Sequence, residues 1–251
     1  ADLAMPPAGE PLRLRHREGE TAIFTGALAF EEAAAGHPGL WDARTLYLVS
    51  SPTVLALHGS ALAPFRDRAG AWVELVVPDG EAAKSPEVAL GLWEELARRG
   101  GKRDSIVVAF GGGTVGDVAG FVAATFLRGV GLVQLPTTLL AQVDAAIGGK
   151  TAIDIAAGKN LVGAFHQPLL VAADSRMLAT LPRSELRSGL VEVVKVAAFY
   201  DLALLERVER DLEALLAGRA EALAPVVRAA AAVKVGVVER DPFEAGERQL
   251  L

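Results

Sequence analysis

The sequence predicts an α/β fold, with an open-sheet domain over residues 1–174 followed by an all-helical domain that begins at residue 175 and is only partly present by residue 251. Three observations predict it. Short β-branched apolar runs alternate with helical segments as far as Asp174, the pattern of a sheet buried between helices. A strand, a glycine turn and a helix succeed one another directly near Gly111–Asp117. Beyond Ser175 no strand pattern remains, and the alanine, leucine and arginine content favours helix.

In chain order, the strand candidates are Thr45–Val49, Trp72–Val77, Ser105–Phe110, Leu132–Leu135 and Leu169–Ala172. Ser105–Phe110 runs into Gly111-Gly112-Gly113, with a helix opening near Gly116-Asp117. That layout aims backbone N–H groups and a positive helix end at a phosphate and makes the sheet Rossmann-like. The spacing Gly111-x-Gly113-x-x-Gly116 is weak by itself, because the stretch about 20 residues on lacks the usual acidic ribose partner. A tight turn with close helix–sheet packing explains the glycines equally well.

The residues beyond the turn carry a stronger signal. Thr137-Thr138 end an apolar strand, where hydroxyls would face a crevice. Leu139–Ile147 reads as a helix whose only charge is Asp144, closed by Gly148-Gly149 as a C-cap. Lys150-Thr151 lie just past that cap, and Gly158-Lys159-Asn160 forms a second glycine-basic-amide cluster. With Arg128 these residues supply several phosphate-binding groups within one short span.

In Gly189–Phe199 the charges Glu192 and Lys195 stand three apart in an otherwise apolar run. An exposed ion pair is one reading. A helix hydrophobic nearly all round is expected to be buried, however, and a buried carboxylate and ammonium need partners or a task. Val226–Val238 is a further helical stretch, with Pro225 suited to its start, and Glu247–Leu251 opens another with no closing cap.

The run GGGTVGD, LRGV, LPTTLLAQVD, GGKT, GKN and GAFHQP, continued by LPRSELRSGLVEVVK, resembles the 3-dehydroquinate synthases, NAD- and metal-dependent enzymes of the shikimate pathway. The resemblance extends from about Glu81 to the end of the chain. Glycerol dehydrogenases share the glycine turn and Pro-Thr-Thr but not GGKT and GKN. Sister sugar-phosphate cyclases that make inosose or valiolone rings are closer. The resemblance implies conversion of 3-deoxy-D-arabino-heptulosonate 7-phosphate into 3-dehydroquinate and phosphate, with transient oxidation by NAD, a divalent zinc or cobalt ion, and a homodimer.

Residue by residue, the resemblance implies that Gly112, Gly113, Asp117, Thr137, Thr138 and Thr180 hold NAD, with Glu81 and Lys84 on its adenosine side. Asp144, Lys150, Lys195 and Lys234 would be catalytic; Lys159, Asn160 and Arg248 would bind substrate, and Arg128 would reach a neighbouring subunit's site. Glu192 would be the carboxylate ligand of the metal. The sequence departs from the family pattern at two places. Ser51-Pro52-Thr53 replaces the family's Asp-x-Asn ribose motif, and none of His16, His37, His58 and His166 has the i,i+4 spacing or position of the family's histidine ligands. His166 is expected to be a packed or hydrogen-bonded loop residue and not a ligand. A non-catalytic NAD-binding fragment is therefore the rival reading, beside a sister cyclase.

Composition agrees with a cytoplasmic enzyme. A net charge of −6 argues against a nucleic-acid surface, and the absence of cysteine removes disulfides and thiolate metal sites. The start, ADLAMPPAGEPL, has no signal-peptide pattern, and no apolar run reaches the ~18 residues of a membrane span.

Overall fold

The computed structural model describes residues 9–42 and 44–250. Residues 1–8, on which the signal-peptide reading bears, and the terminal Leu251 lie outside the described residues. The first strands are β1 (Leu12–His16) and β2 (Gly19–Gly26), followed by the helices α1 (Ala29–Gly36) and α2 (Pro38–Trp41). Then come β3 (Thr45–Ser50), α3 (Pro52–His58), α4 (Ala63–Arg66), β4 (Ala71–Val76) and α5 (Pro86–Arg98). The central unit is β5 (Ile106–Gly111), α6 (Gly113–Thr125) and β6 (Gly131–Pro136). A hairpin of β7 (Lys150–Ile155) and β8 (Gly158–Phe165) precedes β9 (Leu170–Asp174), and the helices α7 (Arg183–Tyr200), α8 (Leu202–Leu216) and α9 (Ala220–Arg240) complete the order.

Seven strands form one sheet in the order β1-β2-β9-β6-β5-β3-β4, parallel except for β1. The five expected strands are all present within two residues of their expected bounds. Two pairs were not expected: β1–β2 at one edge, and the β7–β8 hairpin. The latter places Lys150, Thr151 and Gly158–Asn160 on strands rather than in loops. Alternation of side chains explains the two-faced core. Leu46, Leu48, Ile106, Val108 and Phe110 pack on Phe30, Trp41 and Phe65. On the other face, Tyr47, Val49, Val107 and Ala109 pack on Leu92, Leu96, Val115, Val118 and Val122.

The helical region is joined to the sheet by two apolar clusters. Leu139, Val143 and Ala173 pack with Leu190, Val193 and Val227, while Ala231, Val235 and Val238 of α9 cover Leu14, Ile23 and Val171. Asp201 starts α8 by accepting the Leu204 N–H at 3.0 Å. Pro225 does not start α9, contrary to expectation: the helix begins at Ala220 and carries the proline inside. It is the sixth residue of the helix, past the four N–H groups that have no intrahelical partner, so its ring removes one backbone hydrogen bond of the second turn.

The burial expected for α7 is corrected. Val191 and Phe199 are 64 % and 63 % exposed, and only the stripe of Leu186, Gly189, Leu190, Val193, Val196 and Ala197 is buried. Leu190, Val193 and Ala197 face the α8–α9 core, so one face of the helix is covered rather than its circumference. Among the described residues no helix is long and apolar enough to cross a membrane.

Candidate active site

β3 is flanked by β4 on one side and β5 on the other, so the order of successive parallel strands reverses between β3 and β5. Ligands of open α/β sheets settle at such a reversal, outside the carboxyl ends of the strands. Gly111 ends β5 there, and Gly112 is the N-cap of α6 with no side-chain cap on the helix N–H groups. Ser50 Oγ donates to Phe110 O at 2.7 Å and closes the strand ends together. Close packing needs the glycine at 111, since a Cβ would stand 2.8 Å from Val115.

Thr137 and Thr138 lie beside this turn. The Thr137 N–H donates to Gly111 O at 2.8 Å, and Thr138 Oγ1 accepts the Ala141 N–H at 3.2 Å. In place of the expected ribose motif, Thr53 Oγ1 donates to Asp79 Oδ2 at 2.8 Å. Hydrogen bonds from Ser51 and Thr53 hold the Asp79 carboxyl below its ordinary value. A carboxylate therefore does stand at this strand end, contributed by the segment after β4. Sequence reading looked for it at positions 51–53 and missed it.

A cleft of about 640 Å³ opens at Asp117 on α6. Of the expected site residues it is lined by Asp117, Asp144, Lys150, Asn160, Lys234 and Arg248. Asp144 sits on a π-helical turn, Ala141–Ala145, and not on the regular α-helix expected over Leu139–Ile147. Such turns recur at functional sites because the widened helix re-aims a side chain. Lys234 Nζ is 2.5 Å from Asp144 Oδ1. Burial pushes the Lys234 ammonium pKa down, against the pull of Asp144 and with help from Arg248 and Lys150.

Arg248 is 1 % exposed. It donates to Gly148 O at 2.8 Å and to Pro242 O at 2.7 Å, while its Nε has no hydrogen-bond partner among the described residues. Lys150 Nζ lies 2.5 Å from Glu244 Oε1. Glu244, with φ 58°, was not anticipated, though its position in Asp-Pro-Phe-Glu-Ala-Gly-Glu-Arg just before Arg248 was a usable signal. Asp241 shapes that loop by accepting the N–H groups of Ala245, Gly246 and Arg248.

Lys84 joins the glycine turn to the cleft. Its ammonium is buried and donates to Asp117 Oδ2 at 2.7 Å and to Asn160 Oδ1. Burial pushes the Asp117 carboxyl above its ordinary value, while Lys84 opposes the rise and Glu81 and Asp154 add to it. Lys159 points elsewhere: its Nζ pairs with Glu81 Oε1 at 2.6 Å, both side chains exposed. Thr180 Oγ1 lies 2.8 Å from His58 Nε2, and Arg128 ends the turn after α6 with φ 66°. His166 Nε2 lies 2.9 Å from Val130 O, the loop role expected of it.

Glu192 and Lys195 form an ion pair of 2.6 Å on α7, both partly exposed, which is the simpler of the two sequence readings of that pair. Among the described residues no three His, Cys, Asp or Glu side chains group closely enough to hold a metal ion. The described residues, Glu192 included, do not fit a complete metal site.

Two consecutive family models, 3-dehydroquinate synthase N-terminal over residues 74–188 and 3-dehydroquinate synthase C-terminal over 189–251, match without a gap. The chain belongs to the 3-dehydroquinate synthase family. It is 47 % identical to the 3-dehydroquinate synthase of Pelotomaculum thermopropionicum over 91 % of its own length and 62 % of that relative. It thus spans about three-fifths of that synthase.

Among solved structures, a 2-deoxy-scyllo-inosose synthase complexed with carbaglucose-6-phosphate, NAD+ and Co2+ superposes with a TM-score of 0.85 at 26 % identity. That match covers 96 % of this chain and 65 % of the other. A 2-epi-5-epi-valiolone synthase from Streptomyces hygroscopicus, with NAD+ and Zn2+ bound, gives 0.82 at 29 % identity, covering 92 % and 64 %. The chain shares its fold with these two cyclases.

Proposed function

We propose that this chain is part of a 3-dehydroquinate synthase that converts 3-deoxy-D-arabino-heptulosonate 7-phosphate into 3-dehydroquinate and inorganic phosphate. One observation carries the reading. The cleft sets Lys150 against Glu244 and Lys234 against Asp144 beside Arg248, and it shares Asp117, the partner of Lys84, with the helix that follows the glycine turn at the strand reversal. A phosphorylated acid in the cleft would lie beside a dinucleotide whose pyrophosphate rests on the uncapped start of α6. The identity of 47 % to a 3-dehydroquinate synthase, against 26 % and 29 % to the two sister cyclases, favours this substrate over theirs.

NAD+, when bound, supplies reversible hydride acceptance at one ring hydroxyl, so the overall reaction has no net redox change. Gly112, Gly113, Thr137, Thr138 and Thr180 would line it, with Asp79 and Glu81 toward its adenosine end. Asp117 holds Lys84 at the boundary between cofactor and substrate. Lys150 and Asn160 would bind the departing phosphate, with Lys159 swinging in from Glu81. Glu244, 2.5 Å from Lys150, would give up that ammonium to the phosphate. Lys234 and Arg248 would fix the carboxylate and hydroxyls, and Asp144 opposes the fall in the Lys234 pKa that burial causes.

Glu192 would be one ligand of a divalent zinc or cobalt ion, and Lys195, released from it, would contact substrate. Arg128 would serve the site of a second copy in a homodimer. A cytoplasmic location completes the reading, as does the division into a nucleotide-binding domain to residue 174 and a helical domain beyond it.

The test is product identification by NMR after incubating the natural full-length protein with NAD+, zinc and three phosphates in turn. The heptulosonate 7-phosphate, and neither glucose 6-phosphate nor sedoheptulose 7-phosphate, is expected to give a carbocycle. An inosose or valiolone product would assign a sister activity, and NAD+ binding without any product would leave a binding module.

A further inference from the structure

The β7–β8 hairpin is not a regular ladder. Ile153 pairs with Val162 but Ile155 pairs with Gly158, so the single residue Asp154 faces residues 159–161 of the partner strand. The surplus is taken up at Asn160, whose φ of 59° lies in the left-handed region that side chains other than glycine seldom adopt. Asp154 Oδ1 accepts the Asn160 N–H at 2.8 Å and ties the bulge off. Bulges beside active sites commonly re-aim a side chain, and this one does. Asn160 Oδ1 meets the buried ammonium of Lys84, which also holds Asp117 at 2.7 Å. Asn160 and Asp117 line the cleft, whereas Asp154 does not.

We infer that Asp154 is a positioning residue: its Oδ1 holds Asn160 in the left-handed conformation from which the Asn160 amide reaches Lys84 and the cleft. The bond needs an acceptor oxygen at the end of a one-carbon side chain. It does not need a negative charge, so asparagine at 154 should serve and alanine should not. The consequence for ligand binding rests on the proposed reading of the cleft. The local role of Asp154 does not.

Two measurements on Asp154→Ala and Asp154→Asn separate the possibilities. One is hydrogen exchange at the Asn160 amide. The other is calorimetric affinity for 3-deoxy-D-arabino-heptulosonate 7-phosphate without NAD+, so that no turnover intervenes. Asp154→Ala should speed Asn160 exchange and weaken the ligand by ~tenfold, as loss of one hydrogen bond does. Asp154→Asn should stay within about threefold on both. Protection at the paired residues Ala152 and Gly163 shows whether the hairpin itself persists. Should it melt in the alanine variant, the asparagine variant decides alone.

Equal losses in the two variants, or unchanged exchange in Asp154→Ala, would overturn the inference. Absence of ligand binding by the wild-type chain, with exchange behaving as expected, would instead overturn the reading of the cleft and uphold the local role.

Discussion

Lys234 Nζ on α9 lies 2.5 Å from Asp144 Oδ1 on the π turn, and only 4 % of Lys234 is exposed. This pair is where the helical region and the sheet meet inside the cleft. Asp144→Ala would leave an ammonium buried without its counter-charge and should lower stability by about 2 kcal/mol, less than a fully buried pair because Asp144 is partly exposed. Lys234→Met removes the buried charge itself and should cost less, or nothing. Urea unfolding of both variants measures the difference, and a greater loss for Lys234→Met would reverse the assignment of which partner is strained.

The loop that delivers Glu244 and Arg248 should be sensitive to acid. Burial alone would raise the Asp241 carboxyl, but the N–H groups of Arg248, Ala245 and Gly246 outweigh it and hold the carboxyl below its ordinary value of 3.8. A depressed folded pKa means that the folded state binds protons less readily than the unfolded one. The Asp241 contribution is therefore intact above about 3.8 and is lost as pH falls below it. Hydrogen exchange at the Arg248 amide should accelerate across that acidic window in wild type. In Asp241→Asn the acceleration should be flattened.

Two glycines are fixed by what surrounds them. At Gly148, φ is +98° and a Cβ would stand 2.5 Å from Arg248 Nη2; at Gly189 a Cβ would stand 2.6 Å from the Leu139 side chain and 2.8 Å from the Leu140 backbone N. Gly189→Ala should cost roughly 1–3 kcal/mol by forcing α7 off the π turn. Gly148→Ala should cost a similar amount and should also displace Arg248. Thermal melts check both costs, and a melting temperature unchanged in either would contradict the packing described.

The sheet and the glycine turn were legible because each rests on a strong local signal. Ile106–Gly111 is apolar on both faces and runs straight into a glycine turn, so strand, turn and helix could be read without tertiary information. The edge pair β1–β2 was missed although Leu12–His16 alternates apolar and basic residues as a half-buried strand does; the run is only five residues long, and its apolar side is completed by α9, which covers Leu12 and Leu14. The β7–β8 hairpin was missed because its bulge breaks the alternation near Asp154. Burial of α7 was overestimated because its valines look alike in sequence, and only the neighbouring helices distinguish buried Val193 from exposed Val191. Glu244 and Asp79 escaped notice as ordinary acidic loop residues; what marks them is the partner each finds, Lys150 for one and Thr53 for the other.

The two lysines expected to bind phosphate should separate in experiment. Lys150 lines the cleft, while Lys159 is 71 % exposed by its side chain and paired with Glu81. Lys150→Ala should weaken the phosphorylated keto acid by ~10²-fold and Lys159→Ala by ~tenfold or less, since an exposed ammonium loses less of its interaction. An analogue lacking the phosphate should be insensitive to either change. Equal losses for ligand and analogue would give Lys150 a structural role, through Glu244, and not a phosphate-binding one.

The proposed activity depends on a dinucleotide resting at the strand reversal between Ser50 and Gly111, beside the cleft. Calorimetric titration of NAD+ into the 251-residue chain decides the matter, because the glycine turn, Asp117 and the Thr137-Thr138 pair are all contained in it. Saturable binding at one site per chain is expected, weakened by Asp117→Ala, which frees Lys84 from its partner. A folded chain that takes up no NAD+, or binds it equally well without Asp117, would refute dinucleotide binding at this turn.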